Sequence, residues 1–133
     1  MLITGEILSP EKAVAEAHTP ASGCVVTYVG FIRDNSRGKS VVSVEYRDDT
    51  GNAVKKLEDI AADVKTRWQL ENVVIHHRTG ILKVGDINLI VAVAAAHRTE
   101  GLEAVAWIVD RFKERLPTAK KETYTDGSVY ISE

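Results

Sequence analysis

The feature that most constrains the fold is an apolar segment that changes abruptly into an amphipathic one. The run from Ile87 to Ala96 is apolar except for Asn88, and it has no helical spacing of polar residues. A short continuous run of this kind predicts a strand buried on both faces. From Leu102 to Leu116 apolar residues recur at helical spacing, which predicts a helix packed on one face and ended by Pro117. A buried strand therefore leads directly into a long helix.

Ionisable residues stand at both ends of this predicted helix. His97 and Arg98 follow the apolar strand, and Thr99 is the predicted N-cap. Junctions of this type often bind anions, and solubility alone explains such a pair poorly. Further cations gather around the predicted helix end, where the helix dipole favours positive charge. These are Lys113, Arg115, Lys120 and Lys121.

The rest of the chain predicts two more helices and several short strands. Ser9 and Pro10 start a short helix that runs to about His18, with the hydroxyl as cap. An amphipathic pattern from Val54 to Trp68 predicts a second long helix. Other strands are predicted over residues 2–8, 24–32, 40–46, 72–76 and 128–132, with a hairpin-like loop after Arg33 and a glycine-bounded connection over residues 80–86.

This order of elements predicts an α+β fold. Strands joined by short links favour a largely antiparallel sheet, accompanied by two main helices and a short N-terminal helix. The 133 residues suit one domain, spanning 1–133, that is long enough to bury a real core.

Composition excludes several classes of function. A net charge of −2 gives no bulk basicity for nucleic acid or an anionic membrane surface. The longest apolar run is about half of a bilayer span, and no basic leader follows Met1. Cys24 is the single cysteine, so no internal disulfide and no CxxC metal or redox site can form. We therefore expect a cytoplasmic protein without a metal site.

Four motifs occur together and in order. They are Gly30-Phe31-Ile32-Arg33 after a strand, His77-Arg78-Thr79-Gly80, His97-Arg98 opening a helix, and Lys113 followed by Pro117 through Glu122. In this combination the chain resembles the catalytic (large) subunit of molybdopterin synthase. The likeness extends over about four-fifths of the sequence, and the combination is specific although no single motif is.

The resemblance implies a function and an assembly. It implies an α/β-hammerhead-like fold and a sulfurtransferase of molybdenum cofactor biosynthesis. Sulfur would pass from the C-terminal thiocarboxylate of a small ubiquitin-like carrier subunit to cyclic pyranopterin monophosphate, which becomes molybdopterin. The family forms a central homodimer with one carrier at each end, a heterotetramer, and it needs no resident cofactor.

The resemblance also assigns residues to the site. Lys113 and Lys120 are the expected catalytic residues. The expected substrate-binding residues are Arg33, His97, Arg98, Lys121, Glu122, Phe31 and Ile32. Both ligands are anionic, and cations would offset their repulsion in a partly desolvated pocket.

Other interpretations stay open at this point. Arg33 and the lysines read in isolation as surface residues, whereas His76, His77 and Arg78 read as structural. Thr118-Ala119 replaces a bulky apolar residue and a tryptophan of the family pattern, which removes an expected shelf for the ligand. A non-catalytic paralogue that binds the carrier or a phosphorylated pterin is therefore an alternative. A phosphate-ester-binding domain without a carrier is another.

Overall fold

Nine strands and three helices are formed by residues 1–132, the part of the chain that the structure, a computed structural model, describes. In chain order they are β1 (Leu2–Thr4), α1 (Pro10–Ala17), β2 (Cys24–Phe31), β3 (Asn35–Ser36), β4 (Lys39–Arg47), α2 (Ala53–Arg67), β5 (Asn72–Arg78), β6 (Gly80–Lys83), β7 (Ile87–Ala95), α3 (Arg98–Glu114), β8 (Ala119–Tyr124) and β9 (Val129–Ser132).

The first sheet is built around the apolar strand. Its order is β1-β5-β7-β2, and only the β1–β5 pair is parallel. Strand β7 has a neighbour on each side, and its residues from Leu89 to Ala95 are buried. Helices α2 and α3 cover one face, where Val91 and Val93 lie, while α1 covers the other over Ile90 and Ala92. The predicted strand buried on both faces is thus confirmed.

The second sheet is antiparallel throughout. Its order is β3-β4-β8-β9, and β6 also pairs with β4. A separate core cluster, which includes Ile32, Val44 and Leu82, packs against it. The predicted α+β class, with two main helices, a short N-terminal helix and largely antiparallel strands, is confirmed. The strands divide between two sheets, however, instead of forming one.

The helix starts follow local chemistry in one case and packing in the other. Ser9 caps α1, since its hydroxyl accepts a hydrogen bond from the Lys12 N–H at 3.2 Å, as predicted. Helix α3 begins at Arg98 and its N-cap is His97, so the prediction of Thr99 is wrong. The early start brings Gly101 against β2, where an added Cβ would lie 2.9 Å from Val26 Cγ2.

Besides the two-residue strand β3 in the loop after Arg33, two segments without a predicted strand form one. Residues 80–83, which lie within the predicted connection over residues 80–86, form β6, and β6 pairs with β4. Lys120 and Lys121 lie on β8, not at a helix end, because the chain turns after Pro117 into antiparallel pairing with β4. The prediction that these lysines gather at the end of α3 is therefore wrong.

A close approach of backbone fixes the start of β2 beside the exit of β7. The Gly23 N–H donates to the Ala95 carbonyl at 2.9 Å. A Cβ at Gly23 would overlap the carbonyl oxygen of Ala96, immediately before His97. Glycine is therefore required here by space.

We expect Gly23→Ala to lower the free energy of unfolding by about 1–3 kcal/mol, the usual cost of forcing an extra carbon into a packed site. Urea unfolding measures it. Gly5→Ala is the matched control, because its new Cβ would meet the nearest non-local atom at 3.9 Å. That variant should keep or slightly raise stability. Equal stability of the two variants would contradict the close approach at Gly23.

Candidate functional site

A cavity of about 490 Å³ opens where both sheets meet the C-terminal turn of α3. Arg33 reaches it from the residues after β2, Lys113 from α3 and Lys120 from β8. Arg33 and Lys113 are exposed, whereas Lys120 is half-buried. The proposed chemistry requires five basic residues to converge, namely Arg33, His97, Arg98, Lys113 and Lys120. Three of them, Arg33, Lys113 and Lys120, share one hollow within a single chain.

Strand alternation selects which residues of β8 face this cavity. Lys120 lies opposite Tyr46 on β4, and Glu122 lies opposite Val44, and all four line the cavity. Lys121 pairs with Glu45 and projects to the other face of the sheet, because successive side chains of a strand alternate. Lys121, an expected substrate-binding residue, is not among the lining residues of its own chain.

Glu122 holds Lys120 in place. The Lys120 Nζ lies 3.2 Å from Glu122 Oε1, and the Tyr124 hydroxyl donates to Glu122 Oε2 at 2.6 Å. Burial acts to raise the pKa of Glu122, but hydrogen bonds from Tyr124, Ser36 and Lys120 outweigh it and hold that pKa below its usual value. The carboxylate thus stays ionised and fixes the ammonium group of Lys120.

The other two cations, Arg33 and Lys113, form no ion pair with a carboxylate of the described residues. Among residues 1–132, neither Arg33 nor Lys113 has a carboxylate oxygen within 4.0 Å. Glu114, which also lines the cavity, is bonded to Arg111 Nη2 at 2.7 Å. An open hollow that contains a guanidinium and an ammonium group, neither of them paired with a carboxylate of residues 1–132, is suited to an anion.

The apolar part of the wall comes from the residues between β2 and Arg33. Phe31 is 55% exposed and offers its ring at the rim, while Ile32 is buried and belongs to the second core cluster. Both line the cavity. Their contact with a ligand, which the resemblance implies, stays a prediction.

His97 and Arg98 lie elsewhere. They stand exposed at the N-terminal end of α3, and Lys113 is in its last turn. A helix of 17 residues is about 25 Å long, so this pair cannot reach the cavity of its own chain. Complete convergence of the five cations within one chain is therefore not found.

Comparisons with known proteins show the family to which this chain belongs. A family model described as MoaE protein matches residues 3–115. The chain belongs to the MoaE protein family. The molybdopterin synthase catalytic subunit of Nostoc sp. is 42% identical over 127 residues, which cover 95% of this chain and 77% of that protein. The human catalytic subunit is 33% identical and is matched over 96% and 68%.

A solved structure supports the same relationship. The crystal structure of molybdopterin synthase from Staphylococcus aureus aligns with a TM-score of 0.90 at 28% identity, and covers 99% of this chain and 96% of that one. The resemblance stated from the four motifs is thus confirmed, and the α+β fold is that of the MoaE family.

A buried histidine behind the cavity was read from sequence only as structural. His77 lies edge-on to Tyr46 and Phe112, with ring centroids 4.8 and 5.0 Å away. Its Nδ1 lies 2.8 Å from the Asn88 carbonyl, which can only accept, so Nδ1 carries the proton. Nε2 then accepts from the Thr118 hydroxyl at 2.9 Å. Burial lowers the pKa of His77 to about 4, so the ring is neutral.

Thr118 and Ala119, where the resemblance led us to expect two bulkier side chains, lie outside the cavity. Thr118 is buried against His77, and Ala119 projects away from the face that carries Lys120. Neither residue lines the hollow in the described part of the chain. In this chain, therefore, neither residue forms a shelf in the wall of this cavity.

The described residues lack two features of other functional classes. Within residues 1–132, no three His, Cys, Asp or Glu side chains are grouped so that they could hold a metal ion. No helix in the same range has the length and hydrophobicity needed to cross a bilayer.

His77 should make stability depend on pH. The unfolded chain binds this proton near pH 6.5 but the folded chain only near pH 4, so stability falls as pH drops through that window, by about 3 kcal/mol. Urea unfolding between pH 4 and 7.5 measures the slope. His77→Gln should flatten it, whereas His18→Gln, at an exposed site, should follow the wild type. Parallel curves for His77→Gln and wild type would disprove the neutral buried state.

Proposed function

We propose that this chain is the catalytic subunit of a molybdopterin synthase. It transfers sulfur from the C-terminal thiocarboxylate of a small ubiquitin-like carrier subunit to cyclic pyranopterin monophosphate, and so forms molybdopterin. The observation that carries the proposal is the single cavity of a MoaE-family chain into which Arg33, Lys113 and Lys120 converge.

The size and charge of the cavity suit these ligands. Its volume of about 490 Å³ is within the usual range for small-molecule sites, about 300–1,000 Å³. Two like charges 4 Å apart repel by about 4 kcal/mol in a partly desolvated site, so two anionic ligands need counter-charges to meet. Arg33 and Lys113, which have no carboxylate close by in the described chain, supply them.

The reaction needs no cysteine of this chain, because the sulfur arrives on the carrier as an ionised thiocarboxylate. Cys24 lies on β2 with its Sγ 3.7 Å from the Ala95 carbonyl, away from the cavity lining. We assign Lys113 to the incoming thiocarboxylate and Lys120, fixed by Glu122, to the reacting centre. In each transfer the thiocarboxylate sulfur forms a carbon–sulfur bond to the precursor and an oxygen substituent leaves that carbon. Water then hydrolyses the acyl–sulfur bond, so that the sulfur stays on the precursor and the carrier ends in a carboxylate.

Lys113→Ala and Lys120→Ala should each lower turnover at least 10- to 100-fold, since each removes a charge-assisted contact to an anion. The assay supplies thiocarboxylated carrier and cyclic precursor and measures molybdopterin formed. Lys121→Ala is the matched control, because this neighbouring lysine faces the other side of β8.

The controls separate the possible failures. Carrier ending in an ordinary carboxylate must give no product. Full activity of Lys113→Ala, or an equal loss in Lys121→Ala, would refute the assignment of the cavity as the reaction site. Absence of turnover by the wild type would refute the proposed function itself.

We further propose that two copies of the chain complete each site, and the edge of the first sheet supports this. Strand β2 lies at that edge, and its eight residues, CVVTYVGF, contain no charge and no proline. Unprotected strands of this kind are prone to pair with another chain. Beside it, residues of α1 such as Pro10 and Val14 form an open apolar groove with Val29.

The geometry of β2 joins the two halves of the site. Cys24 pairs with Ala95, two residues before His97, and Phe31 lies two residues before Arg33. Antiparallel pairing of two β2 strands about their midpoints would set residue 24 of one copy against residue 31 of the other. His97 and Arg98 of one copy would then face the cavity rim of its partner. A carrier at each cavity makes this dimer a heterotetramer.

Subunit complementation tests the shared site. Lys113→Ala and Arg98→Ala should each be poorly active alone, but a co-expressed mixture should recover about one quarter of wild-type turnover. Half of the dimers then contain one copy of each variant, and each of these has one intact site out of two. The control mixture of Lys113→Ala with Lys120→Ala should recover nothing, since both residues belong to the same half. An inactive first mixture would contradict a site shared in this way.

The cations of the cavity count against the competing proposal of a non-catalytic scaffold. It was based on Thr118-Ala119, which lie outside the cavity, whereas the cations inside it are retained. Carrier binding without product in the reconstitution would favour the scaffold. Precursor binding without carrier binding would favour a phosphate-ester-binding domain.

A further inference from the structure

The single polar residue of the apolar strand β7 points to an additional ligand contact. Asn88 is half-buried, and its Nδ2 donates to the hydroxyl oxygen of Tyr46 at 3.0 Å. Both residues line the cavity, although no sequence motif singles out either as a site residue. Asn88, the polar residue of β7, therefore holds the hydroxyl group of Tyr46 in position.

Gly30 leaves the space for this contact. A Cβ at Gly30 would lie 2.9 Å from Asn88 Oδ1 and 3.0 Å from the Tyr28 ring. Such distances are shorter than ordinary van der Waals contact, so a larger residue would push the amide away from Tyr46. The absence of a side chain at Gly30, the glycine of the Gly-x-x-Arg motif, therefore leaves room for the Asn88 side chain to reach Tyr46 on β4.

The hydrogen bond from Asn88 fixes the donor and acceptor roles of the Tyr46 hydroxyl. Its oxygen already accepts a hydrogen bond from Asn88, so its own proton is available to a different acceptor. Tyr46 stands opposite Lys120 across the β4–β8 pair, and both face the cavity. Burial raises the pKa of Tyr46 above its usual value, so the phenol keeps its proton near neutral pH. The cavity thus contains a neutral donor beside a cation.

We propose that Tyr46 is a ligand-binding residue of this site, whose hydroxyl donates a hydrogen bond to an oxygen of the anion held by Lys120, and that Asn88 positions it. The proposal rests on the proposed function. The shared chemistry is an oxygen acceptor on an anionic ligand, and it has two possible sources. One is the terminal thiocarboxylate of the carrier, and the other is the cyclic pyranopterin monophosphate.

Two variants separate a donor from a merely structural tyrosine. Tyr46→Phe and Asn88→Ala both break the bond between the two side chains, but only Tyr46→Phe removes the proton that faces the cavity. A structural role predicts that Asn88→Ala, which also loses volume, is at least as harmful. A donor role predicts a loss of about 10- to 100-fold in kcat/KM for Tyr46→Phe and a smaller loss for Asn88→Ala.

Two sets of steady-state kinetics show which ligand carries the oxygen that accepts the hydrogen bond from Tyr46. Precursor is varied at saturating carrier, and carrier is varied at saturating precursor. A rise in KM in one arm assigns the contact to that ligand. Tyr130→Phe, on β9 outside the lining, is the matched control and should behave as wild type. Thermal unfolding of every variant must match the wild type to within a few degrees.

Failure of the proposed function is recognised independently. If the wild type makes no molybdopterin, titration calorimetry of precursor and carrier separately still tests Tyr46, because Tyr46→Phe should weaken one of them about 10-fold or more. Unchanged kinetics or unchanged binding of both ligands by folded Tyr46→Phe overturns the proposal. Losses in Asn88→Ala equal to or greater than those in Tyr46→Phe overturn it as well.

Discussion

The antiparallel pairing of β2 with β7 is the interaction on which the candidate site depends. Its register ties Cys24 to Ala95 at one end and Phe31 to Ile87 at the other. The first end leads into His97 and Arg98, and the second carries Gly30, Asn88 and the path to Arg33. Because a strand of eight residues spans about 25 Å, one strand pair sets both the position and the separation of the two cationic groups.

This separation has an electrostatic benefit. Five cations in one empty cavity would repel one another, and the repulsion would lower the stability of the folded chain. Within the chain only Arg33, Lys113 and Lys120 meet, and Glu122 compensates Lys120. The remaining pair stays exposed to solvent, where its charge costs little. In the dimer proposed above, the full set of basic residues would be assembled only between copies, where anionic ligands would offset the charge.

The sequence predicts those parts of the fold that local patterns determine. A continuous apolar run predicted β7, apolar residues at helical spacing predicted α3, and Ser9-Pro10 predicted the start of α1. Each of these signals lies within a short stretch of consecutive residues. Strands β6 and β8 were missed, since the first is short and the second is largely polar and depends on distant β4. Without β8, alternation could not separate Lys120 from Lys121. The contacts among Tyr46, Asn88, His77 and Thr118 likewise join four separate segments.

Thr118 has a local structural role beside the buried His77. His77 must carry its proton on Nδ1, because that nitrogen faces a carbonyl, and its Nε2 lone pair is then buried. An apolar side chain at 118 would leave this acceptor unsatisfied, at a cost of about 1–3 kcal/mol, whereas the Thr118 hydroxyl donates to it. The same ring packs against Tyr46 and Phe112, which line the cavity. The threonine therefore stabilises, from behind, the part of the cavity wall that Tyr46 and Phe112 form.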